Sequence, residues 1–312
     1  MSCLLIGVYM MKSDLEGNRF AIINNPTNSE IEDFQKGFEG YNMEQTNGEY
    51  NSPEDWLSLV LKDHDGNIVG GIQTSTLFWA QYLEVFWVDE RYRGLGYGRD
   101  LIEEVERLAR ENGCFASQTY TFSWQGGDFY QAVGYKLIAT YDGYVEGITE
   151  LILSKPLNIP AQSRKSDPAR FKISRDDSEE SKRVVQRGLG KNFDDNVADL
   201  LKMYPHMNIG LVVKNHDGEV IGGLSGYSSL GTMNVKDFWV NERYRNQGYG
   251  KDLMVYAERV ARERECISLQ SACFTFQNLD FMLNFGFEPY GLSDVYPRGE
   301  KEYYLIKRLT KD

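Results

Sequence analysis

Arg93, Gly96 and Gly98 open the run RGLGYGRDL, and the same spacing returns 152 residues later as Arg245, Gly248 and Gly250 in RNQGYGKDL. Glycines so placed let a ligand come close to the backbone, and Arg93, Arg99, Arg245 and Lys251 put positive charge beside them. The chemistry is the holding of a phosphate-bearing group. If each run opens a helix, its first N–H groups have no intrahelical partner and carry the positive end of the peptide dipoles. Two familiar phosphate loops are excluded. Arg99 stands where a dinucleotide fingerprint needs its third glycine, and no Gly-Lys-Ser/Thr follows as a nucleotide P-loop requires.

The flanking residues supply the elements such a loop needs. Apolar, strand-like residues (Phe86, Trp87 and Val88; Phe238, Trp239 and Val240) precede each loop. After it, Leu101, Ile102, Val105, Leu108 and Ala109 fall on one helical face, matched by Leu253, Met254, Ala257, Val260 and Ala261. Both copies therefore predict strand, loop, helix. Before them come strands at 20–23 and 171–174 with helix-compatible polar segments, then hairpins at 57–74 and 209–226 that turn through Asp-Gly. His64 and His216 sit at those hairpin tips and read as turn residues. Strands at 115–122 and 267–274, short helices stopped by Gly134 and Gly286, and two closing strands complete each copy. The two copies align at an offset of 152 from His64/His216 onward, and at 151 earlier, as in Gln35/Gln186 and Gly37/Gly188.

The arginine-glycine loop between a hydrophobic strand and a helix resembles the pyrophosphate loop of the GNAT superfamily, the acetyl-CoA-dependent N-acetyltransferases. A second segment, Asp128-Phe129-Tyr130-Gln131-Ala132-Val133-Gly134-Tyr135, is similar to that family's aromatic-Tyr-x-x-x-Gly-aromatic helix. The resemblance covers nearly all of the chain after about residue 18. It implies a mixed α/β fold of two tandem GNAT-like domains, each a mostly antiparallel twisted sheet flanked by helices: residues 1–157 with 1–17 as an extension, a Pro-bearing linker at 158–168, and residues 169–312.

It also implies acetyl-CoA as cofactor and a primary amine, on a small molecule or a peptide, as acceptor. Carrier-binding positions would be Phe86, Trp87, Val88, Arg93, Gly94, Leu95, Gly96, Tyr97, Gly98, Arg99 and Phe129, with Val240, Arg245, Asn246, Gln247, Gly248, Tyr249, Gly250 and Lys251 in the second copy. Acetyl transfer needs a held thioester, a stabilised carbonyl oxygen and proton movement away from the amine and onto the thiolate. Tyr130 is the expected general acid, since a phenol of ordinary pKa near 10 can protonate a thiolate. Glu84, on the strand leading to the loop, is the expected base, acting directly or through water. Their counterparts are Met282 and Lys236, so the N-terminal half is expected to be catalytic. The alternative is a non-catalytic acyl-CoA-binding sensor or regulatory module.

A length of 312 residues accommodates two domains, each with its own core. A formal net charge of −12 argues against nucleic acid and anionic membranes as partners, so an anionic ligand must meet a local cationic patch. The apolar opening MSCLLIGVYMM lacks a basic leader and a cleavage pattern, and reads as a strand or an extension. Cys3, Cys114, Cys266 and Cys273 show no metal-ligand spacing; buried thiols in a cytoplasmic protein, monomeric or homodimeric, with no metal, are the expectation.

Overall fold

The structure is a computed structural model that describes residues 8–13, 19–50, 57–157 and 170–310; the expected linker and most of the expected extension lie outside them. In chain order the first half runs β1 (Val8–Ser13), β2 (Arg19–Asn24), α1 (Asn28–Gln45), β3 (Leu57–Lys62), β4 (Ile68–Leu77), β5 (Ala80–Val88), α2 (Tyr97–Glu111), β6 (Ala116–Phe122), α3 (Gly127–Ala132), β7 (Lys136–Tyr141) and β8 (Glu150–Pro156). The second repeats it from β2 onward: β9 (Lys172–Arg175), α4 (Glu179–Met203), β10 (Met207–Lys214), β11 (Val220–Ser229), β12 (Thr232–Val240), α5 (Tyr249–Glu263), β13 (Ser268–Phe274), α6 (Leu279–Asn284), β14 (Glu288–Ser293) and β15 (Glu302–Arg308). Pairing is antiparallel except for β5 with β6 and β12 with β13, which are parallel. The mixed, mostly antiparallel α/β class expected of each half is present.

The two halves are not laid side by side in chain order. All the described strands join one sheet in the order β1-β2-β10-β11-β12-β13-β15-β14-β7-β8-β6-β5-β4-β3-β9. β2 therefore pairs with β10, Lys214 facing Ala21, while β9 pairs with β3, Lys62 facing Lys172. The helices follow their strands. Phe34 of α1 is fully buried against Gly223 of β11, and Val185 of α4 is fully buried against Gly71 of β4. A methyl group on Gly71 would lie 2.5 Å from Val185, and one on Gly223 would lie 2.8 Å from the Phe34 ring. These glycines create the hollows that receive the exchanged helices. Against the expected units 1–157 and 169–312, packing places β2 and α1 on the second half and β9 and α4 on the first.

Local chemistry fixes each exchanged helix. Thr27 caps α1 in a reciprocal box with Glu30, and Glu30 also pairs with Lys214 of β10. On the other side, Ser178 caps α4, and Asp176 takes the Lys62 ammonium at 3.3 Å. At the centre of the sheet β7 meets β14 at Ala139 and Gly291, equivalent positions of the two copies. Around this seam the halves share buried hydroxyls. Tyr141 reaches Thr232 at 2.5 Å and Ser268 at 2.8 Å, and Tyr296 and Tyr304 donate to the buried Glu302 carboxylate at 2.5 and 2.9 Å.

Candidate active site

Each glycine loop is tied down from within. The Arg93 Nε donates to the Val88 carbonyl at 2.9 Å, and Arg245 does the same to Val240 at 3.0 Å, so the last carbonyl of each strand anchors its loop. Gly94 and Gly96 have φ of +72° and +89°, in the left-handed region that a side chain disfavours. Gly96 is the N-cap of α2 and supplies no side-chain cap, which leaves the first N–H groups of the helix facing the cleft. The second loop keeps the same path. Asn246, at φ +62°, replaces Gly94, and asparagine is among the side chains that tolerate this region best. Gly98 has a packing reason: a methyl there would sit 3.2 Å from Phe86 and 3.3 Å from Phe129, whose rings stack at 5.3 Å.

The cleft itself comes from a parting of strands. Among the described residues β5 and β6 pair from Ala80 to Leu83 against Ala116 to Thr119 and no further, after which β5 keeps its β4 partner alone. A bulge falls where they part, between Gln73↔Val85 and Thr74↔Leu83, and it makes Glu84 the extra residue. Ser75 donates to the Glu84 carboxylate at 2.5 Å. The opening has a volume of about 460 Å³. Tyr130 forms part of its wall; its side chain is buried, and burial pushes the phenol up to about 12, with a hydrogen bond to Thr119 opposing the rise.

Most expected residues of the first half do gather here. Glu84, Phe86, Trp87 and Val88 line one side, Arg93, Gly94, Gly96, Gly98 and Arg99 the loop, and Phe129 and Tyr130 the far wall. Two do not. Leu95 turns its side chain outward, 56% exposed, and Tyr97 packs into the core, its ring stacked on Phe171 at 4.8 Å. Sequence reasoning missed Thr119, Tyr120, Thr121, Gln125 and Gly126 on the β6 side, and it missed Leu189, which α4 contributes from the second half. The pairing of Gly37 with Gly188 carried a signal. A methyl on Gly188 would lie 2.2 Å from the Trp87 ring, and one on Gly37 would lie 2.4 Å from Trp239. Arg170 was also missed; it donates to the Leu95 carbonyl at 3.0 Å and to Asp100 at 2.6 Å, bracing the loop from the far side of the linker.

The second cleft is larger, about 600 Å³, and is roofed by Phe38 and Tyr41 of α1. Trp239, Val240, Arg245, Asn246, Gly248, Tyr249, Gly250 and Lys251 line it; Gln247 instead donates back to the Arg243 carbonyl at 3.2 Å. The Arg245 guanidinium stacks 4.7 Å over the Tyr41 ring. Lys236 occupies the bulge position of Glu84, and Met282 is buried in the core in place of Tyr130. Among the described residues no group of three potential ligands gathers to hold a metal ion, the three described cysteines are free and buried, and no helix is long and apolar enough to cross a membrane.

A parallel strand pair that parts beside a helix start without a side-chain cap is thus built twice in the chain. The model of the acetyltransferase (GNAT) family matches residues 24–135 and again 177–287, and the chain belongs to that family. It is 42% identical over 93 residues to a blasticidin-S acetyltransferase of Streptomyces morookaense, covering 30% of this chain and 68% of that one. An acetyltransferase of Agrobacterium fabrum is 29% identical over 102 residues, 33% of this chain and 74% of the relative. Among solved structures, an acetyltransferase from Bacillus cereus superposes with a TM-score of 0.40 at 26% identity, over 43% of this chain and 95% of its own.

Proposed function

We propose that the first cleft transfers an acetyl group from acetyl-CoA to a primary amine of a small molecule, directly and without a covalent enzyme intermediate. The residues present fit the carrier: uncapped N–H groups at the start of α2, left-handed glycines with open space at Gly94, the cations Arg93 and Arg99, and a strand edge without a neighbour beyond Leu83. Bound there, acetyl-CoA would supply the thioester. The loop would hold its phosphates, and the β5 edge would orient its amide-bearing arm.

Glu84 would take a proton from the acceptor ammonium, its carboxylate turned by the bulge toward the cleft and steadied by Ser75. Tyr130 would give its phenolic proton to the departing thiolate. A phenol raised to about 12 stays protonated throughout the working range, so the donor is always loaded. The observation that carries this reading is the contrast at one position, a buried phenol in the wall of the first cleft against a methionine in the second. Amino-bearing antibiotics are the first acceptor class to examine, because the Streptomyces relative is named for one.

The experiment is Tyr130→Phe, with thiol release measured against a panel of such amines. Turnover is expected to fall about 100-fold, equivalent to about 2.7 kcal/mol, with acetyl-CoA affinity held within about twofold. Unchanged turnover removes Tyr130 from the reaction. For the second half the non-catalytic reading is favoured, since Met282 has no proton to give and Lys236 cannot serve as a carboxylate base.

A further inference from the structure

The two clefts differ at a third position. In the first half Gly126 leads into α3 with φ −121° and ψ 18°; in the second, Asn278 leads into α6 with φ −105° and ψ 30°, nearly the same backbone. The side chain is what changes. Asn278 Nδ2 donates to the Phe238 carbonyl at 3.1 Å. β12 and β13 pair only from Thr232 to Val235 against Ser268 to Ser271, so the Phe238 carbonyl lies beyond the paired stretch, on the edge that borders the gap. In the first cleft the matching Phe86 carbonyl receives no side chain among the described residues, and Gly126 has none to offer.

The linings agree with this. The first cleft extends past Phe86 to Leu83, Glu84, Thr119 and Tyr120. The second ends at Phe238, and its greater volume lies toward Tyr41, Lys251 and Thr275; neither Lys236 nor residues 271–273 border it. Next to Asn278, Leu279 stands where the first half has Gly127, and it packs on the core. A free edge carbonyl in a cleft is an acceptor that an extended amide chain can use. An internal amide already bound to it competes with such a chain for that carbonyl and for the space beside it.

We propose that Asn278 is a latch that closes the second cleft to the acyl arm of the carrier while leaving the phosphate loop open. This rests on acetyl-CoA being the carrier held in the first cleft. The second cleft is then inert for two separate reasons, a missing proton donor and an occluded arm channel, and restoring tyrosine at 282 alone does not restore transfer. In the first half Gly126 is the matching specificity position. A side chain there would also press on the Tyr130 ring, since its first carbon would lie 3.3 Å from it.

The test is equilibrium dialysis of the full chain with labelled acetyl-CoA, for the wild type, Asn278→Gly and Gly126→Asn, with thermal melts to confirm folding. The wild type is expected to hold one acetyl-CoA tightly and any second at least tenfold more weakly. Asn278→Gly should tighten the second site tenfold or more, and Gly126→Asn should weaken the first by a similar factor. Second-site affinity unchanged within twofold in a folded Asn278→Gly protein overturns the latch while leaving the first cleft's reading intact. Two equal, tight sites in the wild type overturn it as well. No binding at all removes the carrier reading and the latch with it.

Discussion

At the scale of single residues, the loop glycines and arginines were legible because a backbone path and a helix start constrain residue type locally. Tyr130 was legible because it stands in the aromatic-Tyr-x-x-x-Gly-aromatic frame, and Glu84 because it lies on the strand leading to the loop; their counterparts, Met282 and Lys236, differ in chemistry. Thr119, Tyr120 and Gly126 were not legible. Their presence in the cleft depends on where β5 and β6 part, and nothing in strand periodicity says where a parallel pair stops pairing. The bulge at Glu84 was hidden as well, since an extra residue in a strand disturbs the two-residue pattern by only one step. If Glu84 is the base, Glu84→Gln keeps the hydrogen bond from Ser75 but cannot take the ammonium proton. Turnover at neutral pH should drop about 100-fold and partly recover as the pH approaches the acceptor amine's own pKa. A pH–rate profile identical to the wild type would assign the base elsewhere.

At the scale of elements, the helices α1 and α4 matter beyond their own halves. Each lays a glycine on a tryptophan of the other half's loop strand, and α4 adds Leu189 to the first cleft. Their sequences read as polar, helix-compatible segments and did not say on which sheet they pack. The two copies present nearly the same hollow, Gly70-Gly71 and Gly222-Gly223, so a repeat cannot by itself distinguish a helix folded back on its own half from one exchanged. Gly188→Leu forces four heavy atoms into a space already filled by the Trp87 ring. Overpacking of this kind costs about 1–3 kcal/mol, and because Trp87 lines the cleft, turnover by the first half should fall as well. Gly190→Leu, where open space surrounds the same helix, is the control and should melt within a few degrees of the wild type.

Across the whole molecule, the reciprocal exchange makes one sheet out of two copies and places ion pairs where each exchanged element docks. Lys214 and the cap of Thr27 hold the Glu30 carboxyl down at about 2, and Ser178, Ser181 and Lys62 hold Asp176 well below the usual carboxylate range. Both carboxyls are depressed on folding, so their contribution is fully present above about pH 4.5 and is lost as the pH falls toward about 2. Calorimetry should show a single transition for both halves, with its midpoint dropping through that acid window. Glu30→Gln with Asp176→Asn should flatten the drop. Two separate transitions would mean that the halves melt independently despite the shared strands.

Where β7 meets β14, a methyl group on Gly291 would lie 2.2 Å from the Cβ of Ala139. Two identical chains meeting about a true twofold axis must place the same residue on both sides of it, so alanine would collide with alanine and glycine would leave an unfilled gap against glycine. Fusing the copies into one polypeptide lifts that restriction. One partner can carry the methyl and the other only hydrogen, and the same licence to differ extends outward to a tyrosine on one side and a methionine on the other.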